Sequence, residues 1–263
     1  MKNKILIGVI LAIVIIALIG VIVSNIQGQE NYEKVLVLGM DDSFPPMGFR
    51  NENNELVGFD IDLAREVCKK LEMTLKVQTI SWAAKEQELD SGNIDCIWNG
   101  FGYSEERNNA MTLSDMYIKD ESIFFVKNDS EYNSQEDLKG KKIGVQSGST
   151  QERRLTDSEF RNEIEELVGY TDYLTALMDL ETGNIDAVYM SKITGTYIMK
   201  SQDKSFKSFE STGISTGETG MVIAFKKGNT ELKDKVEKAI AELKEEEKVK
   251  EISEKWFGED ITL

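Results

Sequence analysis

Charged and aromatic side chains follow predicted strands at places that suit the binding of a small ionised molecule. Asp41 and Phe44 come directly after the apolar strand Val35-Leu36-Val37-Leu38, and open α/β sheets bind ligands at the carboxyl ends of their strands. Arg107 follows a glycine-containing stretch at 99–103, and its planar guanidinium can hold a carboxylate with two hydrogen bonds. Because an arginine in the first turn of a helix lies unfavourably close to the positive end of the dipole, its placement indicates that an anion binds nearby.

The sequence predicts a second helix start that can bind an anion. The strand Ile143–Gln146 is followed by 147–151 (SGSTQ), whose hydroxyls and free backbone amides would begin a helix. Simpler interpretations remain open for both helix N-termini. The hydroxyls at 147–151 would form an ordinary helix cap, and Arg107 would pair with Glu105 or Glu106. Two such N-termini that face each other would suit a small carboxylate held in a cleft.

A five-residue motif occurs twice in the chain. Ser91-Gly92-Asn93-Ile94-Asp95 returns as Thr182-Gly183-Asn184-Ile185-Asp186, each time after a leucine-bearing helical stretch and before an apolar run. Glycine at this place fits the left-handed residue that ends a helix, and the apolar run fits a buried strand. The duplication predicts two lobes built from one supersecondary unit, with a cleft between them.

Composition excludes several classes of function. The 263 residues suffice for two domains, and the net charge of −16 argues against a nucleic-acid partner, since phosphate binding needs clustered Lys and Arg. The chain has no histidine, which excludes Ser-His-Asp hydrolysis and histidine-based zinc sites. Cys68 and Cys96 are too few for a thiolate metal site, and we expect buried free thiols rather than a bridge. We therefore expect no cofactor and no metal.

The N-terminal segment predicts a membrane location. Lys2 and Lys4 precede an uncharged run at 5–23 that is long enough to cross a bilayer of about 30 Å. Lysines before the run keep the N-terminus cytoplasmic and place the remainder outside. No A-x-A-like cleavage site follows, so we expect an uncleaved membrane anchor at 1–24 rather than a removable signal peptide, and then a polar tether at 25–33.

Several short motifs, taken in order over 33–260, resemble one protein family. They read GMDDSFPPMGF, LVGFDIDLAREV, SGNIDCIWNG followed by YSEER, LSDMY, DLKGKKIGVQSGST and the closing KWFG. This order is similar to that of the family-3 extracytoplasmic solute-binding proteins of polar amino-acid ABC transporters. The resemblance implies an α/β fold, the type II periplasmic-binding-protein fold, in which two lobes are joined by two crossing strands. The N-terminal transmembrane helix predicted above would precede these lobes. The expected lobes are lobe 1 at 34–119, lobe 2 at 120–216 and a return to lobe 1 at 217–263.

The same resemblance implies a ligand site between the lobes. Arg107 matches the arginine that binds the ligand carboxylate, and Asp41 matches an acid that contacts the ligand side chain or amine. Phe44 and Trp82 match the apolar walls, while Gly102 stands where the family usually has Ser or Thr. The full set of expected ligand-binding residues is Asp41, Phe44, Trp82, Asn99, Gly100, Gly102, Arg107, Ser149, Thr150, Gln151 and Ser191.

One of these positions departs from the family pattern. The family commonly has an aspartate that pairs with the ligand α-ammonium, and this chain has Ser191 there. A neutral hydroxyl binds an ammonium group more weakly than a carboxylate does. We therefore expect Ser191→Asp to tighten amino-acid binding, unless another acid such as Asp41 or Glu218 already takes this role.

The sequence favours a receptor rather than an enzyme. It would bind a polar amino acid between two closing lobes on the outer face of the cell membrane and deliver it to an ABC transporter permease. Two alternatives remain open: a dehydratase of small carboxylates that uses acidic residues as acid and base, and a sensory or docking module with altered ligand binding. The serine at position 191 favours the first alternative, and the predicted anchor favours the second.

Overall fold

The computed structural model describes residues 34–201, 205–214 and 219–263. In chain order, the strands are β1 (Lys34–Met40), β2 (Ser43–Phe44), β3 (Gly48–Arg50), β4 (Leu56–Val57), β5 (Met73–Thr79), β6 (Cys96–Ile97), β7 (Thr112–Leu113), β8 (Ile118–Lys119), β9 (Ser122–Lys127), β10 (Lys142–Gln146), β11 (Glu166–Tyr170), β12 (Ala187–Ser191), β13 (Phe206–Glu210), β14 (Gly220–Met221) and β15 (Ala224–Phe225). The α-helices are α1 (Phe59–Lys70), α2 (Lys85–Ser91), α3 (Glu105–Ala110), α4 (Thr150–Asp157), α5 (Tyr173–Thr182), α6 (Lys192–Ser201), α7 (Thr230–Glu245) and α8 (Lys248–Phe257). Short 3-10 turns occur at Trp82–Ala84, Gln135–Leu138 and Glu159–Asn162.

Two five-stranded sheets form the centres of two lobes. The first sheet has the order β5-β1-β6-β15-β7 and the second has the order β11-β10-β12-β9-β13. In each sheet the first three strands pair in parallel and the last two join antiparallel. Parallel strands need crossover helices between them, and these are α1 and α2 in the first lobe and α4 and α5 in the second. The predicted α/β fold with two lobes is confirmed.

The repeated five-residue motif has the same structure in both lobes. Gly92 and Gly183 end α2 and α5 in the left-handed conformation, with φ of 79° and 80°. The aspartate that ends each copy binds the strand beside which the following strand will pair: Asp95 Oδ2 accepts from the Val37 amide of β1 at 2.7 Å, and Asp186 Oδ2 accepts from the Lys142 amide of β10 at 2.9 Å. The motif is therefore a helix-to-strand return, as predicted from the sequence.

Two short strands connect the lobes, and the chain finishes on the first. β8 and β14 pair antiparallel, through Lys119 with Gly220 and Ile118 with Met221. After β15 the chain forms α7 and α8, which pack against α1 of the first lobe. The spacing of Val236, Ala239, Ile240 and Leu243 predicts an amphipathic helix, and all four residues are buried in α7.

Two local sequence patterns give wrong predictions. The apolar residues from Met221 to Phe225 predict one strand, but the structure divides them into β14 and β15, because the chain passes here from the connecting pair into the first sheet. The acids Asp60 and Asp62, placed before an amphipathic helix, predict an N-cap, but the N-cap of α1 is Gly58. Asp60 is instead buried inside the first turn, where its Oδ2 accepts from the Gly100 amide at 2.7 Å.

Cys68 and Cys96 are both buried and free, as expected. The predicted anchor at 1–24 and tether at 25–33 lie outside the described residues. Among the residues that are described, no helix is long and apolar enough to cross a membrane.

Candidate functional site

A cavity between the two lobes collects eight of the eleven expected ligand-binding residues. Both lobes contribute to its lining, which includes Phe44, Trp82, Gly100, Gly102, Arg107, Ser149, Thr150 and Gln151. The sequence analysis missed five more residues of this lining, namely Asp120, Gln146, Arg154, Gly220 and Met221. Asp41, Asn99 and Ser191 do not line the cavity.

Arg107 is the charged group that joins the two lobes most directly. Ser104 caps α3 by accepting from the Arg107 amide at 3.2 Å, and this holds the arginine in the first turn of the helix. The guanidinium is buried over the Phe101 ring, with its carbon 4.0 Å from the ring centroid. Burial lowers the pKa of Arg107 to about 10, and the nearby carboxylate of Glu86 opposes this shift.

The hydrogen bonds of Arg107 reach backbone and side chain in both lobes. Nη1 donates to Gly102 O at 2.7 Å and to Thr150 Oγ1 at 2.6 Å, and Nη2 donates to Gly148 O at 3.1 Å. Its nearest ion pair is with Glu86, 3.8 Å from Nε. The simpler interpretation, in which Arg107 pairs with a glutamate of its own helix, is therefore not what the structure shows.

The second predicted helix start combines a cap with contacts to the cleft. Ser149 Oγ accepts from the Glu152 amide at 3.0 Å, which is the bond of an ordinary N-cap. Thr150 turns toward Gly102, and a Cβ placed on that glycine would lie 2.5 Å from Thr150 Oγ1. Gln151 donates to Ser122 Oγ at 3.0 Å. The lobes thus touch at a point where a side chain at position 102 would separate them.

Asp41 is buried behind the cavity rather than in its lining. Its Oδ1 accepts from the Ser43 amide at 2.9 Å and from the Ser43 hydroxyl at 2.7 Å, while the Gln146 amide of the other lobe donates to Oδ2. Burial raises the pKa of Asp41, and the bonds from Ser43 and Gln146 oppose the shift. Asn99 supports this arrangement, because its Oδ1 accepts from the Asp41 amide at 3.2 Å.

Ser191 has a structural task at the end of β12. Its hydroxyl oxygen accepts from the Thr194 amide at 3.2 Å, at the start of α6, and the residue is buried. Beside it lies Asp120, which does line the cavity. Burial raises the pKa of Asp120 to about 6, whereas the nearby Ser191 hydroxyl and Ile193 amide favour its charged form.

A buried lysine forms a second cationic contact between the lobes. Lys85 Nζ donates to Trp82 O at 3.0 Å within its own lobe and to Gly148 O at 2.8 Å across the cleft. Burial lowers the pKa of Lys85 to about 7, and repulsion from Arg107 adds to the shift. The sequence analysis missed this lysine because it is the first residue of α2 and precedes Glu86 and Glu88, a pattern typical of a solvent-exposed helix.

The site therefore offers cations and a carboxylate within one enclosed space. Such a combination suits a molecule that carries both a carboxylate and an ammonium group. In the described part of the chain, no group of three or more Cys, Asp or Glu side chains is arranged to hold a metal ion.

Comparison with known proteins gives one consistent family. Residues 36–259 match the family model described as bacterial extracellular solute-binding proteins, family 3. The L-cystine-binding protein TcyJ of Escherichia coli K12 is 30% identical over 229 residues, which cover 86% of this chain and 84% of TcyJ. The arginine-binding extracellular protein ArtP of Bacillus subtilis 168 is 30% identical over 242 residues, covering 89% of this chain and 90% of ArtP.

A solved structure supports the same fold. It is an ABC uptake transporter substrate-binding protein from Streptococcus pneumoniae with bound histidine, and it superposes with a TM-score of 0.83 at 31% identity. The match covers 87% of this chain and 94% of that protein.

Proposed function

Because the chain belongs to the bacterial extracellular solute-binding proteins, family 3, we propose that it captures a polar amino acid between its two lobes and delivers it to an ABC transporter permease. The observation that carries this proposal is Arg107, a buried guanidinium at the boundary of the lobes with acceptors in both of them. A receptor that closes on its ligand needs such a group, which can bind the ligand and the opposite lobe together.

In the proposed binding mode, the ligand carboxylate takes the place of some of the present acceptors of Arg107. Backbone amides near Gly100 and Gly102 and the Thr150 hydroxyl would complete the carboxylate site, and Phe44 and Trp82 would enclose the side chain. Family members with related sequences are named for cystine and arginine, and the solved relative holds histidine. All three ligands are polar, so a polar amino acid is the ligand class that we propose here.

A screen against amino acids tests this function. Residues 30–263 would be melted with each common amino acid and with cystine in turn. A ligand at about 100 times its dissociation constant adds about 2.7 kcal/mol to the free energy of unfolding, which is a clear shift in Tm. No shift with any amino acid would contradict the proposal. Recovery of the ligand unchanged after denaturation separates a receptor from a dehydratase, which would return a product.

We propose further that residues 5–23 stay in the mature protein as a membrane anchor and hold the receptor on the outer face of the cell membrane. The length of the apolar run and the lack of a cleavage motif support this. Sequencing the N-terminus of the protein from the membrane fraction tests it. A mature protein that begins near Gln27 or Gln29 would show that the segment is removed.

A further inference from the structure

The ligand of the proposed receptor carries an α-ammonium group, and the residue expected to bind it is absent. Ser191 stands where the resemblance implies an aspartate, and its hydroxyl oxygen accepts a hydrogen bond from the Thr194 amide at the start of α6. A cavity that binds a zwitterion without an acceptor for its cation would lose much of its affinity. Another acid in the cavity lining would restore it.

Asp120 is the acidic side chain among the described residues that line the cavity. It follows β8, one of the two strands that connect the lobes, and it lines the same cavity as Arg107 and Gln151. Its Oδ1 is buried and has no hydrogen-bond partner in the described residues. A buried carboxylate oxygen without a partner is costly, and a ligand ammonium group would supply the missing donor.

Asp41, Glu86 and Glu218 do not meet the same conditions. Both oxygens of Asp41 accept hydrogen bonds, from Ser43 and from Gln146, and the residue does not line the cavity. Glu86 is half-exposed, and its carboxylate lies near the cations Arg107 and Lys85. Glu218, the other acid suggested by the sequence, lies outside the described residues.

We infer that Asp120 is the acceptor of the ligand α-ammonium group and that it takes over, from the connecting strand, the role that the family gives to an aspartate at position 191. This inference rests on the proposed function. In this arrangement the carboxylate lies on the connection between the lobes, after β8, and Ser191 at the end of β12 lies next to it.

The electrostatic surroundings of Asp120 fit this role. Burial raises its pKa to about 6, so a cationic ligand that favours the charged form would lower that pKa on binding. Arg154 of α4 also lines the cavity and stabilises the negative charge. The other titratable groups that interact with it are Tyr117 before β8, Tyr173 of α5, Tyr189 of β12 and Lys192 of α6.

A relocation experiment tests the inference on the full chain in detergent. Calorimetry would compare wild type with Asp120→Asn, Ser191→Asp and the double variant Asp120→Ser with Ser191→Asp, using L-arginine and L-histidine as probes. We expect Asp120→Asn to weaken binding by about tenfold to a hundredfold, because a charge-assisted bond becomes a neutral one. Ser191→Asp alone should weaken binding too, since it sets a second carboxylate beside the first. The double variant should recover most of the lost affinity.

Probes without an ammonium group supply a second readout. Argininic acid and imidazolelactic acid carry a hydroxyl in place of the α-ammonium of arginine and histidine. Wild type should prefer the amino acid, and Asp120→Asn should lose that preference. Glu121→Gln is the matched control, because Glu121 is the neighbouring carboxylate, is exposed and pairs with Lys192 at 2.9 Å. It should bind like wild type.

The pH dependence of binding completes the test. A carboxyl group with a pKa of about 6 must lose its proton before it can accept from an ammonium group, so wild-type affinity should fall about tenfold between pH 7 and pH 5. The Asp120→Asn variant should show no such fall.

The possible outcomes separate the inference from the proposed function. Unchanged affinity and unchanged preference in Asp120→Asn would overturn the inference while leaving the receptor function in place. Tighter binding by Ser191→Asp alone would also overturn it. If wild type binds no amino acid, the proposed function fails and the inference fails with it. Thermal unfolding without ligand checks folding, and Asp120→Asn should be at least as stable as wild type because it removes a buried charge.

Discussion

The two lobes share one topology but differ in where they bury charge. Among the described residues, the charged side chains that are buried almost completely are Asp41, Asp60, Lys85 and Arg107, and all four belong to the first lobe. Asp120, on the connection between the lobes, is buried only in part, although its Oδ1 is inaccessible. Facing them, the second lobe buries neutral groups, namely Gln146, Ser149, Thr150 and Ser191. Buried charges are expensive to hold, so the first lobe carries the electrostatic cost of the site. The second lobe can close over it with amides and hydroxyls.

The strand registers show that the charged residue of one lobe and its neutral partner in the other occupy equivalent positions in the two sheets. Leu38 pairs with Cys96 in the first sheet as Ile143 pairs with Ala187 in the second. Counting three residues from the first member of each pair makes Asp41 equivalent to Gln146. These equivalent positions meet across the cleft, where the Gln146 amide donates to the Asp41 carboxylate. A duplicated unit has thus acquired a charge in one copy and a neutral partner for it in the other.

Of the substitutions that test this difference between the lobes, removal of Arg107 should have the largest effect. We expect Arg107→Ala to abolish measurable binding while the fold stays intact, because losing one partner of a desolvated charged pair commonly costs about 2–5 kcal/mol. A micromolar affinity would become millimolar or weaker. Calorimetry measures this, with Arg65→Ala on the surface of the same lobe as the control. Unchanged affinity would show that Arg107 serves only to join the lobes.

The repeated aspartates offer a comparison in which the lobes should behave alike. Asp95→Ala and Asp186→Ala each leave a strand amide without its acceptor, which costs about 1–3 kcal/mol in the free energy of unfolding. Asp186→Ala should lie at the upper end, because Asp186 also accepts from the Tyr132 hydroxyl at 2.9 Å. Chemical denaturation measures both, and ligand affinity should change little. A cost in one lobe alone would contradict the equivalence of the two copies.

A side chain at position 102 should act between the lobes rather than within one. In Gly102→Ala the new Cβ would lie 2.5 Å from Thr150 Oγ1, so closure is hindered and we expect binding to weaken about tenfold, roughly 1.4 kcal/mol. Gly169→Ala is the matched control, because its Cβ would meet Ser147 Oγ at 2.5 Å inside the second lobe. Small-angle scattering with ligand should show a wider molecule for Gly102→Ala only. Equal compaction of both variants would contradict this explanation.

The smallest expected effect concerns the pH dependence of stability. Burial lowers the pKa of Lys85 to about 7 in the folded protein, so between pH 7 and its ordinary value near 10.5 the unfolded chain binds more protons. The contribution of Lys85 to the free energy of unfolding is therefore complete at high pH and is lost as the pH falls toward 7. We expect a gain of less than about 1 kcal/mol from pH 6.5 to 7.5 that is missing in Lys85→Gln.

The measurement must compare the pH dependence of stability of wild type with that of Lys85→Gln, because Asp60 changes the stability of both proteins with pH in the opposite direction. Burial raises the pKa of Asp60 to about 7, so its contribution is complete at low pH and declines as the pH rises through 7. Lys76→Gln, at an exposed position, is the control. Identical pH profiles for wild type and Lys85→Gln would show that Lys85 is not held uncharged.

Features could be predicted from the sequence where they depend on neighbouring residues, and not where they depend on residues that are distant in the chain. The two copies of the motif around Gly92 and Gly183 could be predicted, because a left-handed glycine and an apolar strand leave a pattern in neighbouring residues. The contact of Gln146 with Asp41 could not, since it forms only when two lobes meet. Asp60 was misassigned for the same reason: its partner, the Gly100 amide, is distant in sequence. Asp120 belongs to no motif, and only its place between the lobes reveals it.

The return of the chain to its first lobe has a mechanical consequence. The described chain enters this lobe at Lys34 in β1, and Leu263 at the other end donates its amide to Tyr117 O at 3.0 Å. A force applied through both ends is therefore carried by the first lobe, and the second lobe, attached through β8 and β14, is shielded from it. Attachment through either end would fix the first lobe in place, so the second lobe would be the part that rotates about β8 and β14 when a ligand binds.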